Sequence, residues 1–329
     1  MDMLKRSLAF HGNKLRKSHE VETLYFGGGT PNLLTVKQLS NIIQTAQKYF
    51  TFTQFPEITI EINPEFSNSV EDLSSLKDIG FNRLSIGIQS LNDDELKTLG
   101  RIHNANTALS CIKNAKKVFN NISIDIIYAI PGQNKQSLIN TITQICDLKP
   151  QHISAYNLTA EEGTPYANML KTGILIAQDE SVELEYFYTV HNLLEKNGYH
   201  HYEISNYALP DKMSRHNSSY WTDQDYLGIG PSAHSRIGDY RYAFYPELQS
   251  FIDDPSHFDE KDVVTESDTL ITRLRCSKGL NKQDISSQSW EKLSAYQKAH
   301  PNWLVNDNET IKCTLEGWIV LDTILVDVI

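Results

Sequence analysis

Cysteine is scarce in this chain and poorly placed for joint chemistry. The 329 residues hold four, Cys111, Cys146, Cys276 and Cys313, none closer than 35 positions to the next, and no CxxC pair. No metal site or dithiol can be read from such spacing, and the four read as buried apolar residues or inert thiols. Positive charge is also short. The formal net charge of −11 argues against a nucleic-acid face, because phosphate binding needs a basic stripe and none is present. The most basic segment, Lys5 to Lys17, reads as the solvated face of an amphipathic helix with Leu4, Leu8 and Leu15 pointing inward. Long apolar runs are missing as well. Trp318-Ile319-Val320-Leu321 is cut by Asp322, and the N-terminus carries no apolar signal region, so no membrane span is expected and a cytoplasmic protein is. There is no internal repeat and no low-complexity tract.

What is present is ordinary globular composition, 40% apolar and 22% charged, at a length that accommodates one large and one small domain. From residue 21 to about 200, β-branched strands alternate with helical patterns. The strands are Thr23–Phe26, Ile58–Ile62, Arg83–Gln89, Ile122–Tyr128 and His152–Leu158. Helical stretches lie near 35–49, 69–79, 92–118, 135–147 and 179–197. This alternation predicts an α/β fold, a parallel sheet with crossover helices that is closed or nearly closed as a barrel. Ligands of such folds bind at the carboxyl ends of the strands.

The polar and glycine residues fall at those ends. Leu24-Tyr25-Phe26 runs into Gly27-Gly28-Gly29-Thr30-Pro31, a bare backbone that lets a small polar ligand approach amide groups with no Cβ in the way. The second strand ends in Glu61-Ile62-Asn63-Pro64, the third in Gln89, and the fourth in Pro131-Gly132-Gln133. After about residue 198 the chain changes character. Tyr199 to Gly238 is rich in Tyr, His, Asn and Gly and reads as short strands and functional loops. From about 262 it becomes helical and ends in the apolar Trp318–Ile329, a strand or helix. The domains expected are 1–198, a partial barrel; 199–245, connecting strands and loops; and 246–329, a small helical, winged-helix-like domain.

Motifs in series carry a resemblance. LYFGGGTP, ITIEINP, FNRLSIGIQS, LGRIHNA, SIDIIYAIPGQ, YEISNYA, HNSSYW and YLGIGPSAHS follow in an order that resembles the HemW family of heme chaperones. That family is related to oxygen-independent coproporphyrinogen III oxidase and sits within the radical S-adenosylmethionine superfamily. The likeness runs from about Met3 to Ile329. It implies a partial (β/α) barrel of radical S-adenosylmethionine type that holds S-adenosylmethionine and a 4Fe–4S cluster. Carried over by motif, Gly28, Gly29 and Thr30 would hold the methionine end of the cofactor, and Glu61 would accept from a ribose hydroxyl. Gln89, Arg101 and Asp125 match further cofactor contacts, with Thr159 a weaker candidate at the end of the last strand. Asp125 lies amid Ile124, Ile126 and Ile127, where a carboxylate is costly unless hydrogen-bonded.

His216-Asn217-Ser218-Ser219-Tyr220-Trp221 resembles the HNxxYW signature of the heme-chaperone branch. The resemblance implies heme at His216, Asn217 and Tyr220: a neutral imidazole ligates iron well, and aromatics cover a porphyrin face. His200, His201 and His234 are nearby alternatives for the iron ligand.

Two departures stand out. The family's CxxxCxxC motif, whose thiolates hold the cluster, belongs to a first barrel strand and loop upstream of GGGTP. Only 26 residues precede Gly27 here and none is cysteine, so the barrel is expected without its first strand and the chain with little or no bound cluster. Either the sequence starts at an internal methionine of a longer product, or the chain is a shortened paralogue; the retained cofactor residues favour the first. The second departure is Ala129, where the family shows glycine, a mild change unless the position needs a positive φ. Two functional classes follow. One is a chaperone that binds heme and passes it to an unidentified acceptor protein, with no nucleic acid and no membrane span among its partners. The other is a radical enzyme that oxidatively decarboxylates coproporphyrinogen III, which needs the cluster.

Overall fold

The structure is a computed structural model and describes residues 1–66 and 69–329. The first half of the chain runs α1 (Asp2–Leu15), β1 (Glu20–Phe26), α2 (Val36–Tyr49), β2 (Thr51–Ile62), α3 (Val70–Asp78), β3 (Arg83–Gln89), α4 (Asp93–Thr98), α5 (Ala105–Val118), β4 (Ile122–Tyr128), α6 (Lys135–Asp147) and β5 (His152–Asn157). Then follow α7 (Pro165–Lys171), α8 (Glu180–Lys196), β6 (His200–Glu203), β7 (Asn206–Ala208), α9 (Arg215–Tyr220), β8 (His234–Ile237), β9 (Tyr240–Ala243), α10 (Leu248–Asp253) and β10 (Glu260–Val263). The last elements are α11 (Glu266–Leu274), β11 (Leu280–Asn281), α12 (Ser287–Ala299), β12 (Leu304–Asn306), β13 (Thr310–Cys313), α13 (Leu315–Ile319) and α14 (Leu321–Val328).

Contacts divide the chain into two units. One comprises residues 25–35 and 58–214; the other comprises 1–24, 36–57 and 215–329. The strand order of the main sheet is β1-β2-β3-β4-β5-β7-β6. Strands β2 to β5 pair in parallel and β7 returns antiparallel against β5. The fold is a partial (β/α) barrel, with β1 and β6 at the edges of an open sheet rather than joined in a closed one.

The barrel strands read as continuous apolar runs, yet alternate positions divide the labour. Ile58, Ile60, Ile62, Leu84, Ile86, Ile88, Ile122, Ile124, Ile126 and Ile153 are buried. Burying each such side chain is worth about 1.5–3 kcal/mol, so this apolar face is a main source of stability. The alternate positions are polar and align across the sheet. Thr59 pairs with Arg83; Glu61, Ser85, Ser123 and His152 form one row; Gly87, Asp125 and Ser154 form the next.

Two elements differ from the sequence reading. The single helix expected over 92–118 is two, α4 and α5. Gly100 takes φ +69° between them, and Asn104 restarts the helix by accepting from the Thr107 amide. Helix α7 was not anticipated; Thr164 caps it and Pro165 occupies its first turn.

In the other unit, α1 buries Ser7, Leu8, His11 and Gly12. Strands β8–β10 form one antiparallel sheet and β11, β13 and β12 another. The C-terminal portion therefore mixes helices with a small sheet, as a winged-helix-like domain does, and the apolar end is helical. Cys111, Cys146 and Cys313 are buried, and burial pushes each thiol up to about 12. Such thiols are inert apolar residues at neutral pH. Among the described residues no helix is long and apolar enough to cross a membrane.

Candidate functional site

The candidate residues fall into two groups, one in each unit. In the barrel unit, the three glycines after β1 are required for different reasons. A Cβ at Gly27 would stand 2.5 Å from the Tyr25 ring and 2.8 Å from Glu61 Oε1, so close packing demands glycine there. Gly28 and Gly29 adopt φ +72° and +59°, and a Cβ at either would meet nothing within 4 Å. Their backbone is thus bent into the left-handed region and open to an approaching ligand. Thr30 leads into a 3₁₀ turn over Pro31–Leu33.

Glu61 reaches this loop from β2. Its Oε1 accepts from the Tyr25 hydroxyl at 2.7 Å and its Oε2 from the Gly28 amide at 3.3 Å. Burial raises the Glu61 carboxyl above the ordinary range, opposed by the Tyr25 hydrogen bond. Asn63, two residues on, holds Thr30 and Arg101 together. Its Nδ2 donates to Thr30 Oγ1 at 3.3 Å and its Oδ1 accepts from Arg101 Nη1 at 3.4 Å. Its backbone is bound to Asn32, whose amide donates to the Asn63 and Phe66 carbonyls.

Gln89 ends β3 with φ +63°, just past a register shift against β4. Its Nε2 lies 2.9 Å from where a Cβ on Gly87 would stand. Asp125 has partners: Ser85 Oγ donates to its Oδ2 at 2.9 Å and Ser123 Oγ to its Oδ1 at 3.2 Å. Burial raises this carboxyl, and hydrogen bonds from Ser154 and Ser85 oppose it. Thr159 stands apart. It is exposed two residues beyond β5, and its hydroxyl donates to the Asn157 carbonyl at 3.4 Å. The Pro131–Gln133 corner is a structural lock. Gln133 accepts from the Ala129 amide and donates to Glu95, a buried carboxylate that also accepts from Ser90 and Ser137.

Sequence reasoning passed over Tyr25 and Asn32 as functional residues and gave Asn63 a place at the strand end without a role. Asn63 had a visible signal, an Asn-Pro dipeptide two positions after Glu61 at a strand end. Tyr25 had none, because its role depends on a carboxylate 36 positions away.

In the second unit, α9 carries His216, Asn217 and Tyr220. Glu57 caps this short helix, accepting from the Arg215 amide at 3.3 Å and the His216 amide at 3.1 Å. Both ring nitrogens of His216 are engaged. Nδ1 lies 2.8 Å from Thr23 Oγ1 and Nε2 lies 2.8 Å from the Tyr220 hydroxyl. The two rings meet edge-on, and Tyr220 in turn meets Tyr226 edge-on at 4.8 Å. Tyr220 remains 37% exposed, so the outer side of the pair faces solvent. Of the alternative histidines, His200 and His234 are exposed on β6 and β8. His201 is buried and stacked on Tyr207, and burial lowers its ring to about 3. Among the described residues, no three His, Cys, Asp or Glu side chains stand together as a metal-binding group.

Comparison with known proteins places these features in context. The model of the radical SAM superfamily matches residues 11–145. The heme chaperone HemW of Bacillus subtilis (strain 168) is 32% identical over 279 residues, covering 82% of this chain and 73% of its own. The mitochondrial radical S-adenosyl methionine domain-containing protein 1 of Danio rerio is 30% identical over 349 residues, covering 95% of this chain and 76% of its own. HemW of Lactococcus lactis subsp. lactis (strain IL1403) is 35% identical over 231 residues, and the match spans 60% of its length. In structure, the coproporphyrinogen III oxidase HemN of Escherichia coli superposes with a TM-score of 0.82 at 24% identity, covering 99% of this chain and 82% of that one.

Proposed function

Because the chain belongs to the radical S-adenosylmethionine superfamily, and within it to the family of the heme chaperone HemW, we propose that it carries heme to an acceptor protein and keeps a site for S-adenosylmethionine. The observation that supports the reading is the half-buried imidazole of His216, met at Nδ1 by Thr23 and at Nε2 by the exposed Tyr220. Exchange of the Tyr220 hydrogen bond for iron would keep the Thr23 contact, which orients the ring as outer partners orient metal-bound histidines.

The barrel rim fits the polar end of S-adenosylmethionine. Gly28 and Gly29 offer open backbone, and Glu61 and Asp125 are carboxylates set among donors. When bound, that cofactor supplies a reactive sulfonium; the rim residues hold and orient it. The described residues do not offer a thiolate set for an iron–sulfur cluster.

The test is titration of the purified chain with ferric heme, followed by absorption spectroscopy. A saturable shift of the heme band is expected, and His216→Ala should lose it while retaining its folded circular dichroism. Identical titrations of the two proteins would overturn the assignment of His216.

A further inference from the structure

Beside the His216 helix, the same unit gathers arginines around the last residue of the HNSSYW motif. Arg236 on β8 and Arg273 on α11 both reach Asp223: Arg236 Nη2 donates to Oδ1 at 2.8 Å and Arg273 Nη2 to Oδ2 at 2.6 Å. Arg236 also donates to the Thr222 carbonyl at 3.3 Å and Arg273 to the Trp221 carbonyl at 3.0 Å. Arg275 lies with its guanidinium 5.1 Å from the centre of the Trp221 ring. Among the described residues, the carboxylates in ion pairs with the cluster are Asp223 and Asp284, the latter 3.8 Å from Arg273 Nε, and Asp268 lies beyond, paired with Arg241 at 2.8 Å. Three guanidinium groups thus share two ion-paired carboxylates in a chain of net charge −11.

The donors are under-used as well. Trp221 Nε1 and the Nε atoms of Arg236, Arg273 and Arg275 are buried without a hydrogen-bond partner. Buried N–H groups are normally hydrogen-bonded, and three without a partner, beside an Arg273 Nε that has Asp284 only at 3.8 Å, mark a place where an acceptor is wanted. A carboxylate matches the fork of a guanidinium better than a point charge does. The cluster is also continuous with the candidate iron ligand. His216 meets Tyr220, Tyr220 meets Tyr226, and Tyr226 exchanges backbone hydrogen bonds of 2.8 and 2.9 Å with Arg236.

We propose that Trp221, Arg236, Arg273 and Arg275 form the seat for the carboxylate-bearing edge of the porphyrin whose iron His216 receives. This rests on the heme reading above and adds the polarity of the bound ligand: metal toward α9, acid groups toward β8 and α11.

The test compares ferric heme with its dimethyl ester, in which both carboxylates are masked, on the unaltered chain. Binding is read from the heme band and from tryptophan fluorescence. Ferric heme should bind about tenfold more tightly than the ester, the scale of a charge-assisted pair. Arg275→Gln, which removes no ion pair or hydrogen bond seen in the described residues, should narrow that gap. Equal affinity for both porphyrins, or a gap unchanged in Arg275→Gln, overturns the seat. If neither porphyrin binds, the heme reading falls and takes the seat with it. If the gap persists while His216→Ala titrates as the unaltered chain does, the seat stands and only the iron ligand must be reassigned.

Discussion

The barrel rim and the His216 helix prepare for ligands in opposite ways. The rim gathers single residues from separate strand ends and offers backbone: Gly28 and Gly29 stand at positive φ with open space where side chains would be. The helix gathers its residues within one turn and offers side chains, each already occupied by another, Thr23 on one face of His216 and Tyr220 on the other. A ligand that takes up the Gly28 amide at the rim exchanges one long contact, the 3.3 Å hydrogen bond to Glu61. At the helix it must first replace the tyrosine. Placement by strands gives an open site whose strength lies in shape, and placement by a helix turn gives a closed one whose strength lies in exchange.

The sharpest way to break this contrast is at the rim. Valine at Gly28 would be β-branched at φ +72°, and the left-handed region costs an L-residue about 1–2 kcal/mol even before branching. The loop should leave the conformation that exposes its amides. Affinity for S-adenosylmethionine, measured by calorimetry, should fall at least about 30-fold, or about 2 kcal/mol, while heme titration is unchanged. Unaltered cofactor affinity in Gly28→Val would remove the loop from the site.

The unit that holds His11 can also be probed by acid. His11 is buried on α1 against Phe10, Phe244 and Phe258, and burial lowers its ring to about 4. A depressed histidine stays neutral in the folded state while the unfolded chain takes up a proton below about 6.5. Stability is therefore full above that value and is lost as pH falls from about 6.5 toward 4, by about 2 kcal/mol at pH 5. The four tryptophans, Trp221, Trp290, Trp303 and Trp318, all belong to the unit that holds His11, so their fluorescence reports on it alone. Urea midpoints should drop between pH 7 and 5, and His11→Leu should flatten most of that drop. A slope unchanged in the variant would place the acid sensitivity elsewhere.

How far the sequence reached differs between the regions for physical reasons. Strands β3 and β4 match their sequence-read limits at both ends, because short β-branched runs bounded by turn residues leave little latitude. The rim followed, since strand ends position its residues whatever their long-range partners. The break between α4 and α5 was visible in Leu99-Gly100 and in the Asn104 cap, but the helical period across 92–118 outweighed it. His216 is the opposite case. Its motif is legible, yet Thr23 lies 193 positions away and Glu57 159, and no local pattern announces either contact.

Exchange at the helix has its own test. The hydroxyl of Tyr220 occupies His216 Nε2, and one net hydrogen bond is worth about 1 kcal/mol. Tyr220→Phe keeps the ring that meets Tyr226 and removes that competitor. Heme should then bind about fivefold more tightly. Weaker binding in the variant would make the hydroxyl itself part of the recognition and end the picture of a closed site that opens by exchange.

The smallest effect bears on the glycines of the rim and the alanine beyond it. Ala129, in place of the family's glycine, does occupy the left-handed region, at φ +61°, and is buried, with its amide donating to Gln133 Oε1. Alanine there carries about 1–2 kcal/mol of strain. Glycine would relieve it but would lose roughly 0.5–1 kcal/mol to its greater freedom when unfolded. Ala129→Gly should therefore stabilise the barrel unit by only about 0.5 kcal/mol, the difference between those terms. Hydrogen exchange of the β4 amides would show it as slightly slower opening. Faster exchange would mean that the Gln133 and Glu95 lock already absorbs the strain. The positive φ at this corner would then be a consequence of those side chains, whereas at Gly28 it is a demand of the backbone.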